Sequence, residues 1–200
     1  MDLGIAIVAI IVLSPLFVIC AFLVKLTSPG PVFYRHARIG RDGRAFQCYK
    51  FRSLRLGADK DEARKKTMVE FISGQPAKEN GDASTKIVNK AFITPVGGVL
   101  RKFSIDEFPQ LWNVIKGDMS IVGPRPLLPY EYASYKPWHH ERNTVTPGCT
   151  GLWQVTGRSK SNFDDMVKMD IYYVKHRSMW LDVQIVLKTI PVLLFARGGG

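Results

Sequence analysis

No Asn-X-Ser/Thr sequon occurs in these 200 residues, and there are only three cysteines, Cys20, Cys48 and Cys149. Odd in number and far apart, they form neither a CxxC pair nor a disulfide framework, and a reducing, cytosolic compartment suits them. A Walker loop and a dinucleotide glycine motif are also missing. His139-His140 has no third ligand at zinc spacing, so it is expected at the surface. RNP aromatics and a basic recognition helix are absent, and nucleic acid is not expected as a partner. Acidic residues are scarce, 17 against 28 Lys and Arg, giving a formal net charge of +11. That excess asks for an anionic partner, an acidic lipid or a phosphorylated substrate. The length is one domain's worth, and 46% hydrophobic residues can build a core.

Basic residues are missing from the first 24 positions too, while Leu3 to Val24 is apolar apart from Gly4 and the pair Ser14-Pro15. As a straight helix that stretch would run about 33 Å, enough to cross a bilayer core. A secretory signal fits poorly, since no basic start precedes it and no small-x-small site follows. Pro15 removes one backbone hydrogen bond, and Ser14 can satisfy the freed carbonyl region. Two topologies follow, a kinked spanning helix or a re-entrant hairpin returning to the same face. Lys25, Arg35, Arg38, Arg41 and Arg44 follow the segment, so either one leaves the body cytosolic.

Ser28-Pro29-Gly30-Pro31 forces a turn. Val32–Tyr34 and Ala45–Tyr49 read as short strands joined through Arg41-Asp42-Gly43, a hairpin signal. Between Gly57 and Asn89 an exposed helix is expected around Asp59 to Phe71, then a polar loop. Asp59-Lys60-Asp61 is a formal D-x-D, but inside DKDEARKK it suits a solvated helix better than a metal site. Val99 to Lys116 should be largely helical with Gly117 as its C-terminal cap. Thr146-Pro147-Gly148 opens a loop expected to run to Ser159. Phe163, Met166, Val167, Asp170, Ile171 and Val174 keep helical spacing. Trp180 to Phe195 is apolar but interrupted; an interfacial helix is the natural reading and a buried core helix the alternative.

Chemistry concentrates between Ser104 and Pro126, SIDEFPQLWNVIKGDMSIVGPRP. Asp106 and Glu107 are adjacent carboxylates at an expected helix start. Ser104 with Glu107 matches a capping box, although Pro109 fits better if Asp106 is the cap. In either arrangement the ionised carboxylates sit at a positive helix end, where an Asp can attack phosphorus once Mg²⁺ screens the anions. Arg125, between two prolines, has a largely fixed backbone, so its fork could be aimed at a phosphate. Lys50, Arg52, Arg101 and Lys102 are candidates for the same phosphate-binding surface.

These segments together resemble the bacterial sugar transferases, the monotopic phosphoglycosyl transferases that prime polysaccharide assembly on undecaprenyl phosphate. The resemblance is carried by Ser14-Pro15, SPGPVFYRHARIGRDGRAFQCYKFRSL, RKFSIDEFPQLWNVIKGDMSIVGPRPLLPYE, TPGCTGLWQVTGRS and MDIYYVKHRSMWLDVQIVLKTIPVLL. It implies an α+β, mostly helical fold: a kinked re-entrant membrane helix over residues 1–27 and a cytosolic catalytic domain over 28–200. That domain would hold a small β-hairpin and amphipathic interfacial helices. It implies a bacterial inner-membrane protein with its active site on the cytosolic face, contacting membrane lipids, and it leaves room for a homodimer. In the implied reaction Asp106 attacks the sugar-bearing phosphate of a UDP-sugar, UDP-galactose or UDP-glucose, and UMP leaves. Undecaprenyl phosphate then takes the phosphosugar, initiating O-antigen, capsule or exopolysaccharide synthesis. Asp106 and Glu107 would hold Mg²⁺, Arg101 and Arg125 would bind phosphate, and TPGCTGLWQVTGRS would lie near the nucleotide. Two departures stand out. Relatives usually begin with a basic amphipathic helix before the apolar segment, whereas here only Met1-Asp2 precedes it, as expected of a truncated chain or of the catalytic part of a longer multi-span protein. They also carry an Asp-Pro-Arg where this chain has Lys90-Ala91-Phe92.

Overall fold

The computed structural model describes residues 2–55, 57–58, 62–73, 90–156 and 162–194. The expected D-x-D at Asp59–Asp61 and the polar loop beyond Gly74 lie outside them.

The apolar N-terminal segment forms one helix, α1, Asp2–Thr27, and helical geometry continues through Pro15. A proline within a helix orphans the carbonyl four residues earlier, here that of Ile11. The Ser14 hydroxyl donates to that same carbonyl at 2.8 Å, so the break in the ladder is filled locally. One stripe of α1 is buried, at Ala6, Cys20 and Val24, while Leu3, Val8, Ile11, Val12, Val18, Phe22 and Leu26 are exposed. Both ends are tied to the same body. Asp2 Oδ2 accepts from Ser120 Oγ at 2.5 Å, and Ser28, just past the helix, accepts twice from Arg52.

The expected hairpin is present, with longer strands: β1, Phe33–Ile39, pairs antiparallel with β2, Ala45–Phe51. Asp42 and Gly43 supply the left-handed turn geometry, at φ 55° and 76°. Phe51 stacks on Phe33 and meets Phe17 of α1 edge-on, with ring centroids 5.3 and 5.6 Å apart, which seats the hairpin on the apolar helix. Cys48, on the opposite strand face, packs with Ala6 of α1 and with Val114 and Met119.

α2, Glu62–Ile72, follows the hairpin. It is not the wholly exposed helix expected, since Met68 and Ile72 are buried against Leu127, Tyr135 and Phe163. α3, Pro95–Lys102, is capped by Thr94, whose hydroxyl accepts from the Gly97 amide at 2.9 Å. Gly97 is required there, because a Cβ would collide with the Ser53 carbonyl at the end of β2. The stretch expected to be largely helical, Val99 to Lys116, comes in pieces: α3 ends at Lys102, a 3₁₀ turn spans Ile105–Glu107, and α4, Gln110–Lys116, follows. Pro109 has no N–H to return to the Ile105 carbonyl, and that carbonyl accepts from Phe108 instead. Gly117 at φ 79° caps α4 as its sequence position predicts.

Up to Thr156 the region after Thr146 is not the continuous loop expected, and Gly157 to Ser159 of that reading lie outside the described residues. β4, Gly148–Thr150, runs parallel to β3, Ser120–Val122, and α6, Leu152–Thr156, comes next. Gly123 and Gly148 lie so close that a side chain on either would strike the other segment's backbone. α5, Pro129–Ala133, and α7, Phe163–His176, close the core through Tyr135, Phe163, Val167 and Ile171. α8, Met179–Leu194, buries Ile185 but exposes Met179, Trp180, Leu187 and Ile190, closer to the interfacial helix than to the buried core alternative.

Candidate active site

Strand alternation assembles one wall of the site. Tyr34, His36 and Arg38 fall on one face of β1, with Lys50 opposite Tyr34 and Arg52 two residues further. With Arg101 and Asp106 these side chains line a cavity of about 430 Å³, large enough for a substantial small-molecule ligand. Asp106 is 4% exposed, and Ser53 Oγ donates to its Oδ2 at 3.4 Å. A buried carboxylate is costly unless cations and donors surround it, and the cavity supplies Lys50, Arg52 and Arg101.

The turn that presents the carboxylates is made by Ser104, held in the left-handed region at φ 54° with no side-chain cap bond. The expected capping box at Ser104 and Glu107 is therefore absent. Glu107 is engaged elsewhere. Lys50 Nζ donates to Glu107 Oε1 at 2.7 Å, which pins the 3₁₀ turn to β2. Asp106 does not cap α4 either, since Pro109 occupies the cap position.

Arg125 is held by more than its two prolines. The β3–β4 pair fixes Gly123 and Pro124 by reciprocal bonds with Thr150 and Gly148, both 2.9 Å. The Arg125 carbonyl accepts from Arg142 at 3.2 Å, and its guanidinium meets Glu131 Oε2 at 3.3 Å. Glu131 is 2% exposed. Burial pushes its carboxyl up, but Arg125, Arg38, the Leu128 N–H and Arg142 outweigh that and hold it below the usual carboxylate range. Behind this layer Arg142 pairs with fully buried Asp170 of α7 and donates to Tyr135 Oη at 2.7 Å.

Of the residues singled out in the sequence, the cavity gathers Asp106, Lys50, Arg52 and Arg101. Glu107 reaches it through Lys50. Arg125 is not on its wall but sits beside it, paired to Glu131. Ser14 and Pro15 lie along α1, away from the cavity. His139, expected at the surface, is fully buried and bonded to Asp164 at 3.2 Å, because Phe163, Tyr135 and Trp138 enclose its ring.

Residues the sequence reading passed over are His36, Arg38, Ser53 and Glu131. The period-two run Tyr34-x-His36-x-Arg38 was the available signal for the first two. Arg38 Nε donates to His36 Nε2 at 2.6 Å, so the neutral ring carries its proton on Nδ1. Burial, with Arg38, Lys50 and Arg125 nearby, pushes the His36 pKa down to about 2, so the ring stays neutral at physiological pH.

A buried aspartate facing lysine and arginine side chains suits phosphoryl chemistry, and kinship agrees. Residues 1–196 match the sequence model of the bacterial sugar transferase family. The chain belongs to that family. It is 42% identical over 198 residues to the exopolysaccharide production protein ExoY of Sinorhizobium fredii, covering 98% of this chain and 85% of that one. It is 41% identical over 194 residues to the UDP-galactose-lipid carrier transferase of Erwinia amylovora, covering 96% of this chain and 39% of the relative. Against the undecaprenyl-phosphate galactose phosphotransferase of Salmonella typhimurium the identity is 40% over 195 residues, with 96% and 39% covered. The family resemblance read from the motifs is borne out along nearly the whole of this sugar transferase.

Proposed function

We propose that this sugar transferase is a phosphoglycosyl transferase that moves a sugar-1-phosphate from a UDP-sugar, galactose or glucose being the first candidates, to undecaprenyl phosphate. The observation that carries this reading is the buried Asp106 carboxylate in a cavity lined by Lys50, Arg52 and Arg101. The relatives' names, which include an undecaprenyl-phosphate galactose phosphotransferase, point to the same substrates.

In the first half-reaction an Asp106 oxygen attacks the sugar-bearing phosphorus. The bond from that phosphorus to the bridging oxygen breaks, and UMP departs with the electron pair. In the second, a phosphate oxygen of undecaprenyl phosphate attacks the same phosphorus. The bond to Asp106 breaks, which frees the carboxylate and leaves an undecaprenyl-diphospho-sugar. Arg101 and Lys50 offset the charge on the transferring phosphoryl group. Lys50 also keeps the Asp106 turn in place through Glu107.

Asp106 and Glu107 would hold Mg²⁺. Their hard carboxylate oxygens suit that ion, which is usually held by one or two carboxylates and takes its remaining ligands from phosphates and water. When bound it screens the repulsion between carboxylate and diphosphate.

The proposed setting is the cytosolic face of the inner membrane, with α1 re-entrant. Two observations support this: α1 has a broad exposed apolar face, and both of its ends bond to one body. A helix crossing to the far side would carry Asp2 away from Ser120.

The test is nucleotide release from a panel of UDP-sugars. Wild-type protein without acceptor is expected to release about one UMP per enzyme, as a covalent intermediate requires, and Asp106→Asn none. Full activity in Asp106→Asn would sink the mechanism, and UDP as product would point to a conventional glycosyltransferase.

A further inference from the structure

We infer that Arg52 is the anchor for the phosphate of the lipid acceptor, so that the acceptor enters the cavity where the C-terminal end of α1 meets β2. The inference rests on the transfer reaction proposed above, and it divides the cavity between the two substrates.

Arg52 is 2% exposed yet lines the cavity with Asp106. Its Nη2 donates to the Ser28 carbonyl at 2.6 Å and to Ser28 Oγ at 2.8 Å. Its Nε and Nη1 are buried and find no hydrogen-bond acceptor among the described residues. A guanidinium carries five donors, and leaving the Nε–H and the Nη1 hydrogens unmatched in a buried site is expensive. These open donors suit the oxygens of an anionic phosphate. Lys50, two residues earlier, is committed to Glu107, and Ser53, the next residue, to Asp106. One strand end thus links the membrane helix, a guanidinium with open donors and the nucleophile.

The surroundings select a lipid phosphate over the diphosphate of a soluble nucleotide. Ser28 directly follows the apolar helix. Beside this junction Phe22, Leu23 and Leu26 of α1, Phe33 of β1, and Val99 and Phe103 of α3 are exposed apolar side chains. A polyprenyl chain can lie on them while its phosphate reaches inward, and nothing in a nucleotide sugar calls for such a surface. Arg52 also fixes the end of α1, so lipid binding and helix placement share one residue.

The experiment measures two quantities on the full chain in detergent micelles. One is binding of undecaprenyl phosphate, with undecaprenol and inorganic phosphate as comparison probes. The other is the single-turnover UMP burst without acceptor. Arg52→Gln should weaken lipid-phosphate binding roughly tenfold or more, the loss expected when a charged hydrogen-bonding partner is removed. It should affect the burst far less and leave undecaprenol binding untouched. Ser28→Ala, which removes the hydroxyl but keeps the guanidinium, should keep lipid-phosphate binding, whereas a purely structural Arg52 would make both variants lose it. Arg52→Lys, retaining charge without the fork, serves if the Gln variant unfolds, and it should fall between wild type and a full loss. Undiminished lipid-phosphate binding in Arg52→Gln or Arg52→Lys would overturn the inference, as would a burst that falls in parallel with binding. A wild-type protein that binds lipid phosphate but releases no UMP would refute the reaction and leave this binding result standing.

Discussion

Replacing Glu131 by Gln tests whether Arg125 is held by a buried ion pair. Glu131 accepts from the Leu128 amide at 2.8 Å and from Arg125 at 3.3 and 3.5 Å. Gln keeps an acceptor for the amide but leaves Arg125, whose side chain is 19% exposed, and nearby Arg38 without their countercharge. Breaking one side of a buried pair costs about 3–5 kcal/mol, and the partial exposure of Arg125 argues for about 3. For a chain of this size that is roughly 6–12 °C in Tm, read by thermal unfolding in detergent near pH 7. The pH dependence gives an independent check. The folded carboxyl is held below the unfolded value of about 4.3, so the unfolded chain binds more protons in that interval. The stabilisation is therefore full above the unfolded pKa and is lost as pH falls through the folded one. The gap between wild type and Glu131→Gln should be constant from pH 6 to 8 and should close in acid. A gap under about 1 °C, or one that widens in acid, would refute the account of how Arg125 is held.

Other consequences can be measured in the same preparations. Gly97→Ala drives a Cβ into the Ser53 carbonyl; it should cost about 2–4 kcal/mol and slow UMP release, because α3 carries Arg101. Ser14→Ala orphans the Ile11 carbonyl and should cost about 1 kcal/mol in the wild-type background. With Pro15→Ala present the new backbone N–H takes that carbonyl, so Ser14→Ala should become nearly neutral; equal costs in both backgrounds would exclude the bond. The Cys48 thiol is fully buried and pushed up in pKa by that burial, so alkylation of the native protein should proceed only as fast as it opens.

What the sequence made legible was whatever neighbouring residues decide. The hairpin followed from Asp42-Gly43, the α4 cap from Gly117, and α7 from the spacing of Phe163 to Val174. The N-terminal helix followed from apolar content alone, and the Ser14–Ile11 bond from the position of Pro15. Where distant segments decide, the reading failed. His139 was taken for a surface residue because no third ligand at zinc spacing accompanies it, yet Phe163, from a distant helix, closes over it with Tyr135 and Trp138. Thr146 to Ser159 was taken for loop because Gly148 and Gly151 look like turn residues, whereas the close approach of Gly148 to Gly123 lets Gly148 open β4 opposite Ser120.

The carboxylate turn shows the same division within a few residues. Ser104-x-x-Glu107 carries a genuine local signal for a helix cap, and Pro109 a genuine local objection to it. Locally the two are unresolved. A contact 57 residues away decides: Lys50 on β2 takes the Glu107 carboxylate that the cap would have used. Once Glu107 is drawn toward the hairpin, Ser104 must adopt its left-handed turn to let the chain follow, and Pro109 is free to begin α4. Asp106 then faces inward toward Ser53 and the cavity, at the cost of burying a carboxylate. A sequence optimised only for helix stability would not keep that arrangement. That backbone, held against local preference, is the reason for placing the proposed site at this turn.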